Sequence, residues 1–197
     1  PGSHGPPTQQ PRFPQNLRPS GRGGSKAILR DGLVASEKKR RTGPITITIQ
    51  AVDPKRLPRD LLYLADPSET LVELYLTRGH GLAAFQGDKV LGVLVWLDTR
   101  PGTREIVNLA VRPEEQNKGI GRALLEAALR EAREANVLSI ELGTGNSSIG
   151  QLALYQKCGF RIVGVDPDFF LRHYSEPIFE NGIRCRDMVR LRCDLEG

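Results

Sequence analysis

Apolar and polar residues alternate along several short stretches of the chain, and this period of two predicts β-strands. The clearest case is Ile45-Thr-Ile-Thr-Ile-Gln50, in which every second residue is apolar. Strands are also predicted at residues 82–85 and 90–97, joined by the hairpin turn Gln86-Gly-Asp-Lys89, and at residues 106–111. The first part of the fold is therefore expected to be an antiparallel meander.

A period of three to four residues predicts the helices. Ile120, Leu124 and Ala128 share one face of a helix over residues 119–136, with Glu126 and Arg130 expected as an ion pair on its outer side. The other helices are predicted at residues 59–64, 69–78 (capped by Ser68) and 148–157 (ended by Gly159), and the other strands at 137–142, 160–165 and 184–193. A strand–helix–strand unit after a meander indicates a mixed sheet in an α/β (α+β) fold.

The positive charge of the chain is concentrated near its beginning. The net charge is +5, but residues 1–43 hold nine Lys or Arg and two acids, so the remainder carries −2. Residues 1–43 are rich in Pro, Gly, Ser and Gln, which predicts a disordered basic tail, and Pro1-Gly-Ser-His4 resembles residues left by a cloning vector. The domain is expected at residues 44–197. Lys38-Lys-Arg-Arg41 has the composition of a nucleic-acid address, but a slightly acidic domain is not expected to bind a polyanion.

The cysteines and the hydropathy pattern narrow the setting in which the protein works. Cys158, Cys185 and Cys193 are odd in number and lack metal-ligand spacing. No apolar run approaches the length of a membrane span. These features favour a reduced, cytoplasmic setting, with no metal and no membrane partner.

Residues 116–121, Gln-Asn-Lys-Gly-Ile-Gly, join the predicted strand that ends at Val111 to the helix that follows. A helix N-terminus has unpaired N–H groups and a partial positive charge, so it binds phosphate oxygens. The two glycines leave the backbone open to a ligand, and Lys118 and Arg122 bracket the loop with positive charge. The segment therefore predicts a pyrophosphate site.

Two motifs give this loop a family context. Residues 111–124, Val-Arg-Pro-Glu-Glu-Gln-Asn-Lys-Gly-Ile-Gly-Arg-Ala-Leu, resemble the acetyl-coenzyme A (acetyl-CoA) signature of the GNAT superfamily of N-acetyltransferases, Arg/Gln-x-x-Gly-x-Gly/Ala. Residues 146–160, Asn-Ser-Ser-Ile-Gly-Gln-Leu-Ala-Leu-Tyr-Gln-Lys-Cys-Gly-Phe, resemble the second signature of that family. The resemblance covers roughly residues 44–195 and implies the GNAT fold, with a twisted, mostly antiparallel mixed sheet and about four helices.

The resemblance also implies a set of site residues. The strand before the loop would offer its main-chain groups to the pantetheine arm and the acetyl group, and the loop would hold the pyrophosphate. Tyr155 is expected to protonate the leaving thiolate, and Glu105 to accept a proton from the amine directly or through water. The implied acetyl-CoA contacts are Leu109, Ala110, Val111, Gln116, Asn117, Lys118, Gly119, Ile120, Gly121, Arg122, Asn146 and Lys157.

The sequence indicates the acetyl donor more clearly than it indicates the acceptor amine. Residues 166–182 combine four aromatic residues with four acids (Asp166, Asp168, Glu176 and Glu180), which favours a wall for a small cationic amine such as a polyamine or an amino sugar. The early helices, with Tyr63, Glu69 and Glu73, would form the opposite wall. A protein or peptide amine is the alternative acceptor, and a homodimer is left open.

Other classes of function fit less well. A dinucleotide-binding oxidoreductase would need a third glycine where Leu124 stands, and a Walker loop would need Gly-Lys-Ser/Thr. A covalent acetyl-cysteine at Cys158 is disfavoured against a small core residue. A non-catalytic acyl-CoA-binding domain is the remaining alternative, and the presence of Tyr155 argues against it.

Overall fold

The computed structural model describes residues 47–174 and 176–195, so the predicted basic tail lies outside the described residues. Within them, seven strands form one sheet in the order β1-β2-β3-β4-β5-β9-β6, and β7 and β8 form a separate hairpin. The strands are β1 (Thr48–Val52), β2 (His80–Gln86), β3 (Lys89–Arg100), β4 (Thr103–Val111), β5 (Ser139–Gly145), β6 (Arg161–Asp166), β7 (Ile178–Glu180), β8 (Ile183–Cys185) and β9 (Met188–Asp194).

Helices cover both faces of this sheet. They are α1 (Arg59–Ala65), α2 (Glu69–Leu76), α3 (Ile120–Glu134), α4 (Ile149–Lys157) and the short α5 (Phe169–His173). One buried cluster joins α3 and α4 to the sheet through Leu124, Leu125, Tyr155 and Phe160, and a second joins α1 and α2 to the other face through Leu61, Leu62, Val72 and Leu76. No helix among the described residues is both long and apolar enough to cross a membrane.

Most of the elements predicted from periodicity are present. All strand pairs are antiparallel except β4 with β5, so the mixed sheet is confirmed. Ser68 caps α2 by accepting from the N–H of Leu71 at 3.4 Å, and Gly159 follows α4 with φ +94°, as predicted. The predicted Glu126–Arg130 pair is wrong, because Glu126 pairs with Arg122 one turn earlier.

The chain between β6 and the C-terminal strand differs from the prediction. Instead of one connection and one strand, the structure has α5, the β7–β8 hairpin and then β9. Asn146 separates the last two strands, because its Oδ1 accepts hydrogen bonds from the N–H groups of Arg186 (2.7 Å) and Asp187 (3.0 Å). These bonds hold the connection between β8 and β9 against the end of β5.

The pairing of β4 with its two neighbours changes abruptly after Ile106. The parallel ladder to β5 runs only from Thr103–Ser139 to Ile106–Leu142, although both strands continue. At the same place Val107 is skipped in the register with β3, in which Trp96 opposes Ile106 and Val95 opposes Asn108. This is a β-bulge, which bends a strand and ends regular pairing. The bulge accounts for β4 and β5 separating beyond this point.

Candidate active site

The separation of β4 and β5 leaves main-chain groups of β4 without a ladder partner on one side. Residues 108–111 of β4 pair with β3 but not with β5, while residues 143–145 of β5 pair with β9. Leu109, Ala110 and Val111, the predicted contacts for the pantetheine arm, lie in this part of β4. The gap gives an extended ligand an edge to pair with, which is how main-chain groups recognise a strand-like partner.

The loop after β4 turns twice through backbone conformations with positive φ before α3 begins. Asn117 has φ +61° and Gly119 has φ +84°, and no side chain caps the helix. The helix begins its hydrogen bonding with the N–H of Ala123, which donates to the carbonyl oxygen of Gly119 at 2.9 Å. The N–H groups of Ile120, Gly121 and Arg122 therefore have no partner within the helix, as an anion site at a helix N-terminus requires.

The side chains around this loop are already engaged with one another. Gln116 donates through Nε2 to the carbonyl oxygen of Val111 at 3.1 Å, which fixes the start of the loop on the end of β4. Lys118 pairs with Glu115 at 2.9 Å, and Arg122 pairs with Glu126 at 2.7 Å. Both cations are more than half exposed and can turn from these surface pairs toward a phosphate, because exposed ion pairs are weak.

Gly121 lies where the loop, β4 and α4 meet. A Cβ at this position would stand 3.5 Å from Cδ2 of Leu154 and 3.7 Å from Cγ2 of Val111, which is ordinary contact distance. A longer side chain would therefore extend into the space between the end of β4 and α4. Ile120 beside it is fully buried and fixes the first turn of α3 against the sheet.

Tyr155 projects from α4 into the core cluster on the α3/α4 face, with 8% of its surface exposed. Its ring packs edge to face on Phe160, with ring centroids 6.2 Å apart. Among the described residues its hydroxyl makes no hydrogen bond, and burial raises the pKa of the phenol to about 12. The phenol is therefore protonated at neutral pH and keeps its proton to donate.

The surroundings of Cys158 do not favour a nucleophilic thiolate. It follows α4 directly, and burial is the largest factor that raises the pKa of its thiol, followed by the charge of Glu126. A thiol attacks a thioester as the thiolate, so a raised pKa lowers its reactivity. This agrees with the sequence-based preference for a structural role.

Glu105 immediately precedes Ile106, the last residue of β4 that pairs with β5. It therefore lies where the gap between the two strands opens. Ile106 and, on β9, Val189 and Leu191 belong to the core on the α3/α4 face. Since neighbours on a strand alternate, Glu105 and Arg190 point to the opposite face, where they pair at 3.5 Å. Glu105 and Tyr155 therefore approach the gap from opposite faces of the sheet.

Two other predicted contacts have different surroundings. The amide of Asn146 is engaged within the protein, since Nδ2 donates to the carbonyl oxygen of Arg184 at 3.1 Å while Oδ1 holds the β8–β9 connection. Lys157 is exposed in the last turn of α4. Their contacts with acetyl-CoA stay predictions.

Most of the acids of residues 166–182 form ion pairs or hydrogen bonds within the protein. Asp166 pairs with Arg172 and Asp168 pairs with Arg186, each at 2.6 Å. Glu180 accepts hydrogen bonds from the hydroxyls of Ser147 (3.1 Å) and Ser148 (2.6 Å). Three of these four acids thus have partners within the protein, which leaves Glu176 as the one acid of the segment without a partner among the described residues.

A different carboxylate, Asp66, acts through its charge on two tyrosines. Asp66, in the turn between α1 and α2, is half-buried, and burial is the main factor that raises its pKa, against a hydrogen bond from the N–H of Ser68. Its charge contributes, after burial, to the raised pKa values of Tyr75 and Tyr174. The sequence pattern does not single out Asp66, and no periodicity could have shown that its charge acts on Tyr174, the residue after α5.

The buried phenols make a prediction about stability at high pH. The pKa of Tyr155 is raised from 10.0 to about 12 on folding, so the folded state holds this proton more tightly than the unfolded state does. The corresponding stability is present below pH 10 and is lost as pH rises from 10 to 12, and a shift of two units amounts to roughly 3 kcal/mol. Urea unfolding at pH 8 and pH 11.5 is expected to show a smaller alkaline loss for Tyr155→Phe than for the wild type. Equal losses in both proteins would contradict the assignment.

The described residues contain no group of three or more His, Cys, Asp or Glu side chains that could hold a metal ion. What the site offers is an open strand edge, a helix N-terminus with free N–H groups, a protonated phenol and a carboxylate. This set can bind a pyrophosphate and an extended arm and can move protons at the point where the strands part.

Comparisons with known proteins agree with this geometry. The sequence model of the acetyltransferase (GNAT) family matches residues 52–160. The "Uncharacterized N-acetyltransferase YvbK" of Bacillus subtilis is 60% identical over 136 residues, which cover 69% of this chain and 88% of that protein. A Bacillus subtilis acetyltransferase solved in complex with CoA is 53% identical, with a TM-score of 0.73 over 77% of this chain and 100% of that chain.

A third relative has been solved with acetyl-CoA, the acetyl donor, in place. A GNAT family acetyltransferase from Elizabethkingia anophelis, solved with acetyl-CoA bound, is 44% identical, with a TM-score of 0.71 over 76% of this chain and 98% of that chain. The expected family, fold and acetyl-CoA dependence are confirmed, and the oxidoreductase and non-catalytic alternatives are set aside. The chain belongs to the GNAT family and is an acetyl-CoA-dependent N-acetyltransferase.

Proposed function

We propose that the enzyme transfers the acetyl group directly from acetyl-CoA to a primary amine of a small cationic molecule, such as a polyamine or an amino sugar. The observation that supports this acceptor is Asp66, a half-buried carboxylate whose charge acts on Tyr75 and Tyr174. A partly buried carboxylate is a favourable partner for an ammonium group, because a lower local dielectric strengthens their attraction. The setting we infer is the cytoplasm, with three free cysteines in keeping with reducing conditions.

The transfer takes place in a complex of enzyme, acetyl-CoA and amine. The helix N-terminus at residues 120–122 holds the pyrophosphate, and β4 pairs with the arm. The neutral amine attacks the thioester carbon, a C–N bond forms and the C–S bond breaks. Tyr155 gives its proton to the leaving sulfur, and the amine passes its extra proton to Glu105, directly or through one water.

A cation held by Asp66 is not the nitrogen that reacts, because an ammonium group has no lone pair. The acceptor therefore carries two amino groups, one held as an ammonium at Asp66 and the other free to lose its proton and attack. This arrangement favours diamines over monoamines of the same size. Two other acids near α1 and α2 already have partners, since Glu73 pairs with Arg59 at 2.7 Å and Asp60 with Arg112 at 3.1 Å.

The acceptor is tested by a screen that detects free CoA thiol and covers polyamines, aminoglycosides, amino acids and peptides with free N-termini. We expect turnover with diamines and polyamines. Turnover confined to peptides would overturn the proposal and leave acetyl-CoA dependence intact.

Asp66→Asn is expected to raise the KM for a diamine by about tenfold or more, because it removes a charge partner in a partly buried site. The KM for a monoamine of similar length is expected to change less than about threefold. Asp88→Asn is the matched control, since Asp88 is an exposed acid in the turn between β2 and β3 and should leave both constants unchanged. Equal effects of Asp66→Asn on the two amines would remove Asp66 from the acceptor site.

A further inference from the structure

Asn108 is a buried polar residue of β4 that no proposed step yet uses. It is 2% exposed, and its Nδ2 donates to the carbonyl oxygen of Leu62 in α1 (2.9 Å) and to the hydroxyl of Tyr75 in α2 (2.8 Å). A main-chain carbonyl can only accept, so the contact with Leu62 decides which end of the amide is nitrogen. The other end, Oδ1, is buried and has no hydrogen-bond partner among the described residues.

The β-bulge at Val107 gives Asn108 this orientation. Ile106 packs in the core on the α3/α4 face, so regular alternation would turn Asn108 to that same face. Because Val107 is the extra residue, Asn108 instead meets α1 and α2, and Leu109 returns to the α3/α4 side. Bulges of this kind re-aim a side chain next to an active site.

Asn108 belongs to the part of β4 that begins where β4 and β5 separate. It lies two residues beyond Ile106, the last residue of β4 that pairs with β5, and it shares the α1/α2 face with Glu105. Its phenol partner, Tyr75, is in turn affected by the charge of Asp66. A buried carbonyl oxygen without a donor is costly, so native proteins supply one from a neighbour, a water or a ligand.

We propose that Oδ1 of Asn108 accepts a hydrogen bond from the amino group that attacks the thioester. The proposal rests on the proposed function, since it requires the amine to enter from the α1/α2 face. A neutral primary amine has two N–H groups and one lone pair. One N–H donates to Oδ1, the lone pair forms the C–N bond as the C–S bond breaks, and a proton of the nitrogen passes to Glu105. The main-chain carbonyl of Leu62 holds Nδ2 in place with or without Tyr75, so the amine is oriented by an amide whose direction is fixed.

The test compares Asn108→Ala with Tyr75→Phe. Both variants remove the Asn108–Tyr75 hydrogen bond, but only the first removes Oδ1. Wild-type turnover is first measured with 1,4-diaminobutane and with a peptide that has a free N-terminus. The variants are then compared on the amine that the wild type acetylates. The failure of the diamine thus counts against the proposed acceptor and not against Asn108.

For Asn108→Ala we expect kcat/KM for the amine to fall by about tenfold or more, the effect of a lost hydrogen bond that leaves a polar group unpaired. The Kd for acetyl-CoA is expected to stay within about twofold of the wild type. Tyr75→Phe is expected to keep kcat/KM within about threefold, even where its melting temperature falls as much as that of Asn108→Ala. Equal kinetic losses in the two variants, or an unchanged kcat/KM for the amine in Asn108→Ala, would overturn the proposal.

A wild-type measurement covers the case in which Asn108→Ala does not fold. A crystal structure of the wild-type enzyme with CoA and 1,4-diaminobutane, or the peptide, forms no product because CoA carries no acetyl group. We expect an amine nitrogen within hydrogen-bond distance of Oδ1 of Asn108. An Oδ1 bonded only to water while the amine lies elsewhere would give Asn108 a structural role instead.

Discussion

Gly121→Val is expected to lower the affinity for acetyl-CoA by at least about 100-fold, or about 2.7 kcal/mol. A Cβ at residue 121 fits the protein itself, because its nearest neighbours, Leu154 and Val111, stand 3.5 and 3.7 Å away. The branches of valine would instead occupy the space between β4 and α4 and push a ligand away from the free N–H groups of the helix. The loss therefore falls on binding and not on folding. Isothermal titration calorimetry with acetyl-CoA measures it.

Gly150→Val is the matched control for this prediction. Gly150 is the second residue of α4 as Gly121 is the second residue of α3, and a Cβ there would have no atom within 4 Å. Valine costs a similar amount of helix propensity at both positions, so the control removes that contribution. We expect Gly150→Val to keep its affinity within about threefold. Unchanged affinity in Gly121→Val would show that the ligand does not cross the first turn of α3.

Gly119 is expected to be needed for acetyl-CoA binding because of its backbone conformation and not because of the space beside it. The same titration can distinguish these two reasons. The φ of Gly119, +84°, is a left-handed conformation that β-branched residues avoid, whereas asparagine adopts it at modest cost. Gly119→Val should therefore distort the loop and lose affinity, and Gly119→Asn should keep most of it. Asn117, with φ +61°, already shows asparagine in such a conformation two residues earlier.

Periodic features of this fold could be predicted from the sequence because their physical cause is local. The apolar stripe of α3, the alternation in the meander and the caps at Ser68 and Gly159 depend on neighbours within one or two turns. The loop before α3 is also local, since a strand, two glycines and a helix in succession already determine where free N–H groups point.

The features that sequence reasoning missed depend on contacts between distant segments. One extra residue at Val107 changes no composition and no period, yet it decides that Asn108 faces α1 and α2. The helix α5 and the β7–β8 hairpin are too short to show a period, and Asn146 stabilises the connection between β8 and β9 from 40 residues away. The acids of that segment looked free in sequence only because Arg172 and Arg186 could not be assigned to them.

The acid that protonates the departing thiolate is the second test with a large expected effect. Tyr155→Phe is expected to lower kcat by about tenfold to several hundredfold, within the usual scale for a positioned proton donor. The Kd for acetyl-CoA should stay nearly unchanged, because the ring remains packed on Phe160 and only the hydroxyl is lost. Stopped-flow or steady-state detection of free CoA thiol measures the rate.

The structure makes this substitution unusually easy to interpret. Since the hydroxyl of Tyr155 has no hydrogen-bond partner among the described residues, its removal breaks no internal bond, and the free energy of unfolding at pH 7 should stay within about 0.5 kcal/mol. The slow rate would then belong to the chemical step. Cys158→Ala is the matched control three residues away, and we expect it to keep its activity because burial raises the pKa of that thiol. If Cys158→Ala were inactive while Tyr155→Phe turned over normally, the acetyl group would pass through the cysteine and direct transfer would be wrong.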